Sequence, residues 1–148
     1  MNKDRQVKQV IVMRKDLKTR KGKYCSQASH ASLGALLKCF KKEYITSYEG
    51  EDCEEPMGVK YSMNVFNDSY LDKWLNGIFT KITLSVDSED ELLSLYNTIK
   101  NERPDIPCVL ITDCGLTEFN GVPTNTCSGI GPVWSDEIDT FTRHLSLF

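Results

Sequence analysis

Short runs of β-branched and apolar residues alternate in this chain with longer stretches of helical periodicity, and that alternation leaves few folds open to it. "QVIVMR" (Gln9–Arg14) is apolar, β-branched and brief, which predicts a buried first strand. "FTKITLSV" (Phe79–Val86) alternates apolar with polar residues, and "CVLIT" (Cys108–Thr112) is again a buried strand by its composition. A different period fills the gaps. From about Lys23 to Lys41, residues Leu33, Leu36, Leu37 and Phe40 recur on one helical face, and Gly22 is placed to cap the start. Ser26 and Ser29 fall on that face earlier in the helix, small enough to let a sheet come close. "NDSYLDKWLNG" reads as a short helix ending at Gly77. Ser88 and Glu91 form a capping box ahead of a stripe of Leu92, Leu95, Tyr96 and Ile99 that stops before Pro104. "TNTCSGIGP" reads as a last strand running into a Gly-rich turn, and Ser135 as the cap of a closing helix that buries Ile138 and Phe141. Strands alternating with helices predict a layered α/β domain.

Its 148 residues, 40% hydrophobic and 26% charged, suffice for one ordinary soluble core. We therefore expect a single domain over residues 1–148, with residues 44–66 as an irregular, acidic surface excursion. No apolar run approaches the roughly 20 residues of a membrane span, and "MNKDRQVKQV" lacks the apolar centre of a secretory leader. The six cysteines contain no Cys-x-x-Cys pair, and there are only two histidines. This argues against a zinc site or a disulfide framework and for reduced thiols. The expectation is a cytoplasmic protein with no metal, no cofactor and no membrane partner.

Charge is distributed unevenly. Residues 1–42 carry 12 of the 18 Lys and Arg but only Asp4 and Asp16 of the 21 acids, a local +10 set against −13 for the rest. Such a split suggests a basic surface for a polyanion, although a merely solvated basic face is the commoner fate of charge runs. What tips the balance is position. Lys18, Arg20, Lys21 and Lys23 crowd a helix start, where acidic residues are the stabilising choice. The same start, with its free N–H groups, is a ready anion site. Lys23, Gln27 and His30 follow at i, i+4 and i+7 as a polar stripe along one edge of the apolar face. On the spacing alone, His30 is equally well a hydrogen-bonded structural histidine. If the strands ending at Arg14 and Thr112 run parallel, Lys23 and Asp113 share the sheet edge where ligands gather in such folds.

These residues resemble those of the type II peptidyl-tRNA hydrolase family of archaea and eukaryotes. "KQVIVMRKDLKTRKGKYCSQASHASLGALL" is similar to the family's opening strand, Arg-x-Asp-Leu turn and Lys-Gly-Lys…Gln-x-Ser-His-Ala helix. "ITDCGLTEF" is similar to its Asp-x-Gly-x-Thr segment, and "GIGPVWSDEIDTFTRHLSLF" to its Gly-x-Gly-Pro and closing helix. The sequence departs from the pattern at Tyr24-Cys25-Ser26, where small apolar residues are usual, and in the longer acidic stretch at 44–66. The resemblance implies a three-layer α/β/α domain around a four-stranded mixed sheet. It also implies hydrolysis of the ester between a peptide and the terminal ribose of tRNA, through Lys23, Gln27, Asp113 and Thr117, with His30 as a further candidate. Peptidyl-tRNA is then the partner, and a homodimer is left open.

Ester hydrolysis requires a positioned water, a proton acceptor and a donor where the oxyanion develops. Lys23 suits either the terminal phosphate or the oxyanion. Asp113 beside a cation is a weak base, so it orients more than it abstracts; Thr117 can donate a hydrogen bond or hold the water. Lys18, Arg20 and Lys21 are candidates for RNA phosphate, and Gly129 and Gly131 for close approach of backbone to RNA. Read alone, Asp113 and Thr117 fit an Asx-type turn and the glycines fit turn geometry. The rival functions are a non-catalytic tRNA- or RNA-binding protein on the same fold, and a protein-interaction module that uses the excursion.

Overall fold

The computed structural model describes residues 4–148. In chain order its elements are β1 (Val7–Arg14), α1 (Lys21–Leu37), β2 (Lys41–Ile45), β3 (Ser47–Tyr48), β4 (Glu51–Asp52), β5 (Gly58–Ser62), α2 (Tyr70–Leu75), β6 (Lys81–Val86), α3 (Glu89–Glu102), β7 (Cys108–Asp113), β8 (Thr124–Trp134), α4 (Ser135–Thr142) and β9 (Ser146–Leu147). The main sheet runs β7-β8-β1-β6-β9. β1 pairs parallel with β6 and antiparallel with β8, which in turn is antiparallel to β7. β7 thus points the same way as β1 without touching it, and Arg14 and Asp113 end at one sheet edge as the parallel reading requires.

The mixed α/β architecture is as expected, but the sheet has five strands rather than four. The fifth is β9, whose Leu147 and Ser146 pair with Leu84 and Ser85 on the free edge of β6. Two residues returning to an edge after α4 leave no periodic signal in a sequence.

Helices cover both faces. Val10, Val12, Leu84, Val86 and Ile130 pack against Leu92 and Ile99 of α3 and Ile138 of α4. Ile11, Met13 and Cys127 pack on the other face against Ala31 and Ala28 of α1. Both sets of alternating β1 side chains are buried, which is why "QVIVMR" shows no alternation.

Helix α1 differs most from its expected form. It ends at Leu37, followed by tight turns through Lys38–Phe40, and its N-cap is Arg20 rather than Gly22. The leucine stripe is not its buried face: Leu33 is 59% and Leu37 43% exposed. The residues turned fully inward are Gln27, Ala31 and Ala35, spaced by four and preceded at the same spacing by Lys23. The physical reason is distance. A side chain at Gly129 of β8 would meet the Ala31 carbonyl oxygen at 2.1 Å, so helix and sheet touch backbone to backbone and only small residues fit between them. Ser26 and Ser29, expected to ease that approach, are exposed and bond back to Gly22 O and Cys25 O.

Residues 44–66 are not irregular throughout. β2 and β5 form a ladder from Lys41–Ser62 to Ile45–Gly58, and β3 and β4 a smaller one beyond it. The Gly-rich segment after Thr124 is not a turn either. β8 runs on to Trp134, and Gly131, with φ +92, supplies a left-handed residue inside it. Ser135 opens α4 as its first residue, the cap position belonging to Trp134. Ser88 caps α3 as expected, accepting from the Glu91 N–H.

Candidate active site at the head of helix α1

Three segments meet at the edge where β1 and β7 end. The first is the turn after β1. Arg14, nearly buried, holds Asp16 with two hydrogen bonds of 3.1 and 2.7 Å and donates to the carbonyl of Asn125 at 2.9 Å. This pairing ties the turn to β8 and depresses the Asp16 carboxyl below its ordinary range. It also aims the chain into α1, whose first turn contains no acid and whose cap makes no side-chain bond.

The second segment is α1 itself, and the third is the loop after β7. Lys23 Nζ donates to Asp113 Oδ2 at 2.7 Å and to Thr117 Oγ1 at 3.0 Å. Gln27 Nε2 donates to the same Asp113 oxygen at 2.9 Å. The other carboxylate oxygen accepts the Gly115 N–H at 2.8 Å. The two oxygens of Asp113 are thus divided: Oδ1 makes the Asx-type turn, and Oδ2 faces the helix. The side chains of Lys23 and Asp113 are only 13% and 12% exposed. The Lys23 hydrogen bond is the largest of the influences that hold the Asp113 carboxyl below its usual range; the Gly115 N–H, the Lys23 charge and Gln27 add to it against partial desolvation.

The donor count defines what the cluster can do. An ammonium has three N–H groups, and Asp113 and Thr117 take two of Lys23's. Thr117 accepts from Lys23, so its own proton is free to donate outward. Gln27 cannot swing, because its amide oxygen accepts from Thr126 Oγ1 at 2.6 Å within the buried sheet face. The result is two hydrogen-bond donors beside a weakly basic carboxylate that already accepts three hydrogen bonds. They open on a cleft of about 360 Å³ lined by Arg20, Gly22, Lys23, Ser26, Thr117 and Glu118. The Phe119 ring lies 5.7 Å from the Lys23 ammonium.

The remaining predicted residues fall elsewhere. His30 is exposed on α1, and its side chain makes no hydrogen bond among the described residues. Lys18, Arg20 and Lys21 are exposed around the helix head as expected, but Arg20 already pairs with Glu118 at 3.1 Å. Gly129 and Gly131 are buried in β8. The close approach that Gly129 permits is that of α1, and nothing outside the protein reaches it. Tyr24 does not line the cleft; its ring meets Phe148 at 4.8 Å and its hydroxyl accepts the Thr19 N–H. Among the described residues no group of three His, Cys, Asp or Glu could hold a metal ion, and no helix is long and apolar enough to cross a membrane.

Sequence reasoning missed Thr126, Phe119 and the Arg14–Asp16 pair as parts of the site. Arg14 left a signal, a charge closing an apolar run. Thr126 left none, since it is an ordinary strand residue until the fold brings it to Gln27.

Residues 7–148 match the model of the family described as "Peptidyl-tRNA hydrolase PTH2". Proteins named peptidyl-tRNA hydrolase are similar over nearly their full lengths. That of Methanopyrus kandleri is 39% identical over 140 residues, covering 95% of this chain and 97% of its own. Those of Methanothermobacter thermautotrophicus and Methanocaldococcus jannaschii are 36% and 32% identical over 141 residues, each covering 95% of this chain and 99% of its own.

Proposed function

We propose, from the premise that this chain belongs to the peptidyl-tRNA hydrolase PTH2 family, that it hydrolyses the ester joining a peptide or N-blocked amino acid to tRNA and so releases tRNA for reuse. The observation that carries the reading is the Lys23–Asp113–Thr117 cluster, with contacts of 2.7 and 3.0 Å, at the mouth of the cleft. In this reading Lys23 and the Thr117 hydroxyl face the developing oxyanion, where preorganised donors act most strongly. Asp113, itself fixed by the Gln27 amide, holds the ammonium in place. A carboxylate offers about four acceptor sites, of which Lys23, Gln27 and Gly115 fill three. The fourth orients the attacking water. Water adds to the ester carbonyl, the acyl–oxygen bond breaks, and the water's proton ends on the departing ribose oxygen. Lys23 is held too firmly on Asp113 to serve chiefly as a phosphate contact, and that task falls to exposed Lys18, Arg20 and Lys21. The reaction takes place in the cytoplasm, where charged tRNA is used.

The test is incubation with N-blocked aminoacyl-tRNA and, in parallel, with the unblocked form, following free tRNA. Release from the blocked substrate, with the unblocked one largely spared, is expected. Binding without release from either would favour the non-catalytic RNA-binding alternative.

A further inference from the structure

Beyond the tail of α1 the chain presents a second cationic surface that the proposed chemistry does not use. No acid occurs between Asp16 and Glu43. The outer face of α1 is therefore free of carboxylates along its own length, and it runs into Lys38, Lys41 and Lys42. The β2–β5 ladder then sorts its charges by face. Lys41 pairs with Glu43 at 3.1 Å, and Glu43 lies opposite Lys60 in the ladder, so that face is internally compensated. Lys42 lies opposite Tyr61 on the other face, with its ammonium 5.4 Å from the ring. That face borders a groove of about 410 Å³ lined by Gly34, Leu37, Lys38, Phe40, Lys42, Tyr61 and Val109. Among the described residues neither Lys38 nor Lys42 forms an ion pair. The acids of the excursion, Glu49, Glu51, Asp52, Glu54 and Glu55, all lie beyond the Ile45–Gly58 end of the ladder.

We propose that this groove is a remote phosphate site for the same RNA, in which Lys38 and Lys42, with the Tyr61 hydroxyl, grip the sugar–phosphate backbone of the tRNA whose ester end lies at Lys23. The inference rests on the hydrolytic reading. Lys23 and Lys38 are 15 residues apart on nearly continuous helix, or roughly 22 Å at about 1.5 Å per residue. A site so distant is out of reach of the last nucleotides alone and within reach of a whole tRNA. Lysine and tyrosine are common phosphate partners that position a nucleic acid without reading its sequence.

The experiment uses the full chain and its K38A/K42A and K38R/K42R variants, with two substrates: N-blocked aminoacyl-tRNA, and the same N-blocked aminoacyl ester on a CCA trinucleotide. With K38A/K42A, kcat/KM for the trinucleotide should be unchanged, while whole-tRNA affinity falls and the slope of log affinity against log salt flattens. Each lost contact removes about 0.7–0.9 of slope, so two should remove about 1.4–1.8. K38R/K42R should keep the wild-type slope. If K38A/K42A binds whole tRNA with the wild-type affinity and slope, the RNA does not reach this groove, and a protein partner becomes the better occupant. If the alanine variant loses trinucleotide turnover as well, the groove acts through the active site and the inference fails. If the wild-type chain cleaves neither substrate, the hydrolytic reading itself has failed, a result separable from both.

Discussion

At the head of α1, Lys23 and Gln27 converge on one carboxylate oxygen of Asp113, 90 and 86 residues away in sequence. Beyond its tail, β2 and β5 pair only with each other and contain no fully buried residue. One end is a set of long-range constraints in which each group fixes another; the other is a local ladder on an open surface. The difference governs how each responds to change. Perturbing the head should alter chemistry or folding, because its geometry is over-determined. Perturbing the hairpin should alter only what touches it.

The largest effect should come from breaking the head. Asp113→Asn keeps the oxygen that accepts the Gly115 N–H but removes the charge that holds Lys23. Lys23→Ala removes the cation. Each should lower single-turnover release of tRNA by on the order of 10²–10⁴. The double variant should be little worse than the poorer single, since groups acting as a unit are not additive. The pH dependence has a definite sign. The folded pKa of Asp113 is depressed, so the ion pair is complete above the ordinary carboxylate value of about 3.9 and is lost only as pH falls through the lower folded value. The acid limb that Asp113 contributes to kcat/KM should therefore lie below that of an unperturbed carboxylate. Near-normal turnover by Asp113→Asn would leave this residue its turn role alone.

A smaller effect should come from the contact beneath the head. In Gly129→Ala, the new methyl group would lie 2.1 Å from the Ala31 carbonyl oxygen, in a backbone contact with no flexible side chain to yield. Overpacking of this kind destabilises by about 1–3 kcal/mol and occasionally more. Thermal unfolding should move down, while the folded fraction keeps its affinity for tRNA. A variant of wild-type stability with weakened RNA binding would instead restore Gly129 to the RNA surface.

The contrast between the two ends also explains what could be read from sequence. Strands β1, β6 and β7 and the capped start of α3 were legible because local pattern and tertiary role agree there. Lys23 and Gln27 were legible as a polar stripe at a basic helix start and Asp113 by its place at the sheet edge, whereas Thr117 and the set as a whole came through an ordered resemblance; their meeting depends on β7 pointing the same way as β1 across the intervening β8. The leucine stripe of α1 misled because periodicity reports hydrophobicity, whereas the contact with β8 selects for small size, giving Ala31 and Ala35. The ladder of β2 and β5 was missed for the opposite reason: with every residue of β2 exposed, no buried face imposes the alternation by which strands are recognised. His30 shares the stripe of Lys23 and Gln27 at i+7, but the helix carries it outward.

The smallest effect should come from the hairpin tip, and it sharpens the comparison because it should be close to nothing for chemistry. Residues 47–55 hold β3, β4 and five acids, Glu49, Glu51, Asp52, Glu54 and Glu55, and no base. Replacing them with a brief Gly/Ser link leaves the β2–β5 ladder and the groove at its base in place. The segment's ladder is its own, and shortening a loop slightly lowers its closure cost, so stability should change little. Turnover of the trinucleotide ester should be unchanged. Removal of five acids takes the formal charge from −3 to +2, so association with whole tRNA should quicken at low salt, where long-range steering is strongest, and the gain should vanish as salt is raised. The salt slope of affinity should stay nearly as it was, because no cation that touches phosphate has gone. Loss of trinucleotide turnover in a variant that still unfolds cooperatively would mean that the tip reaches the head of α1, and the two ends would then have to be treated as one site.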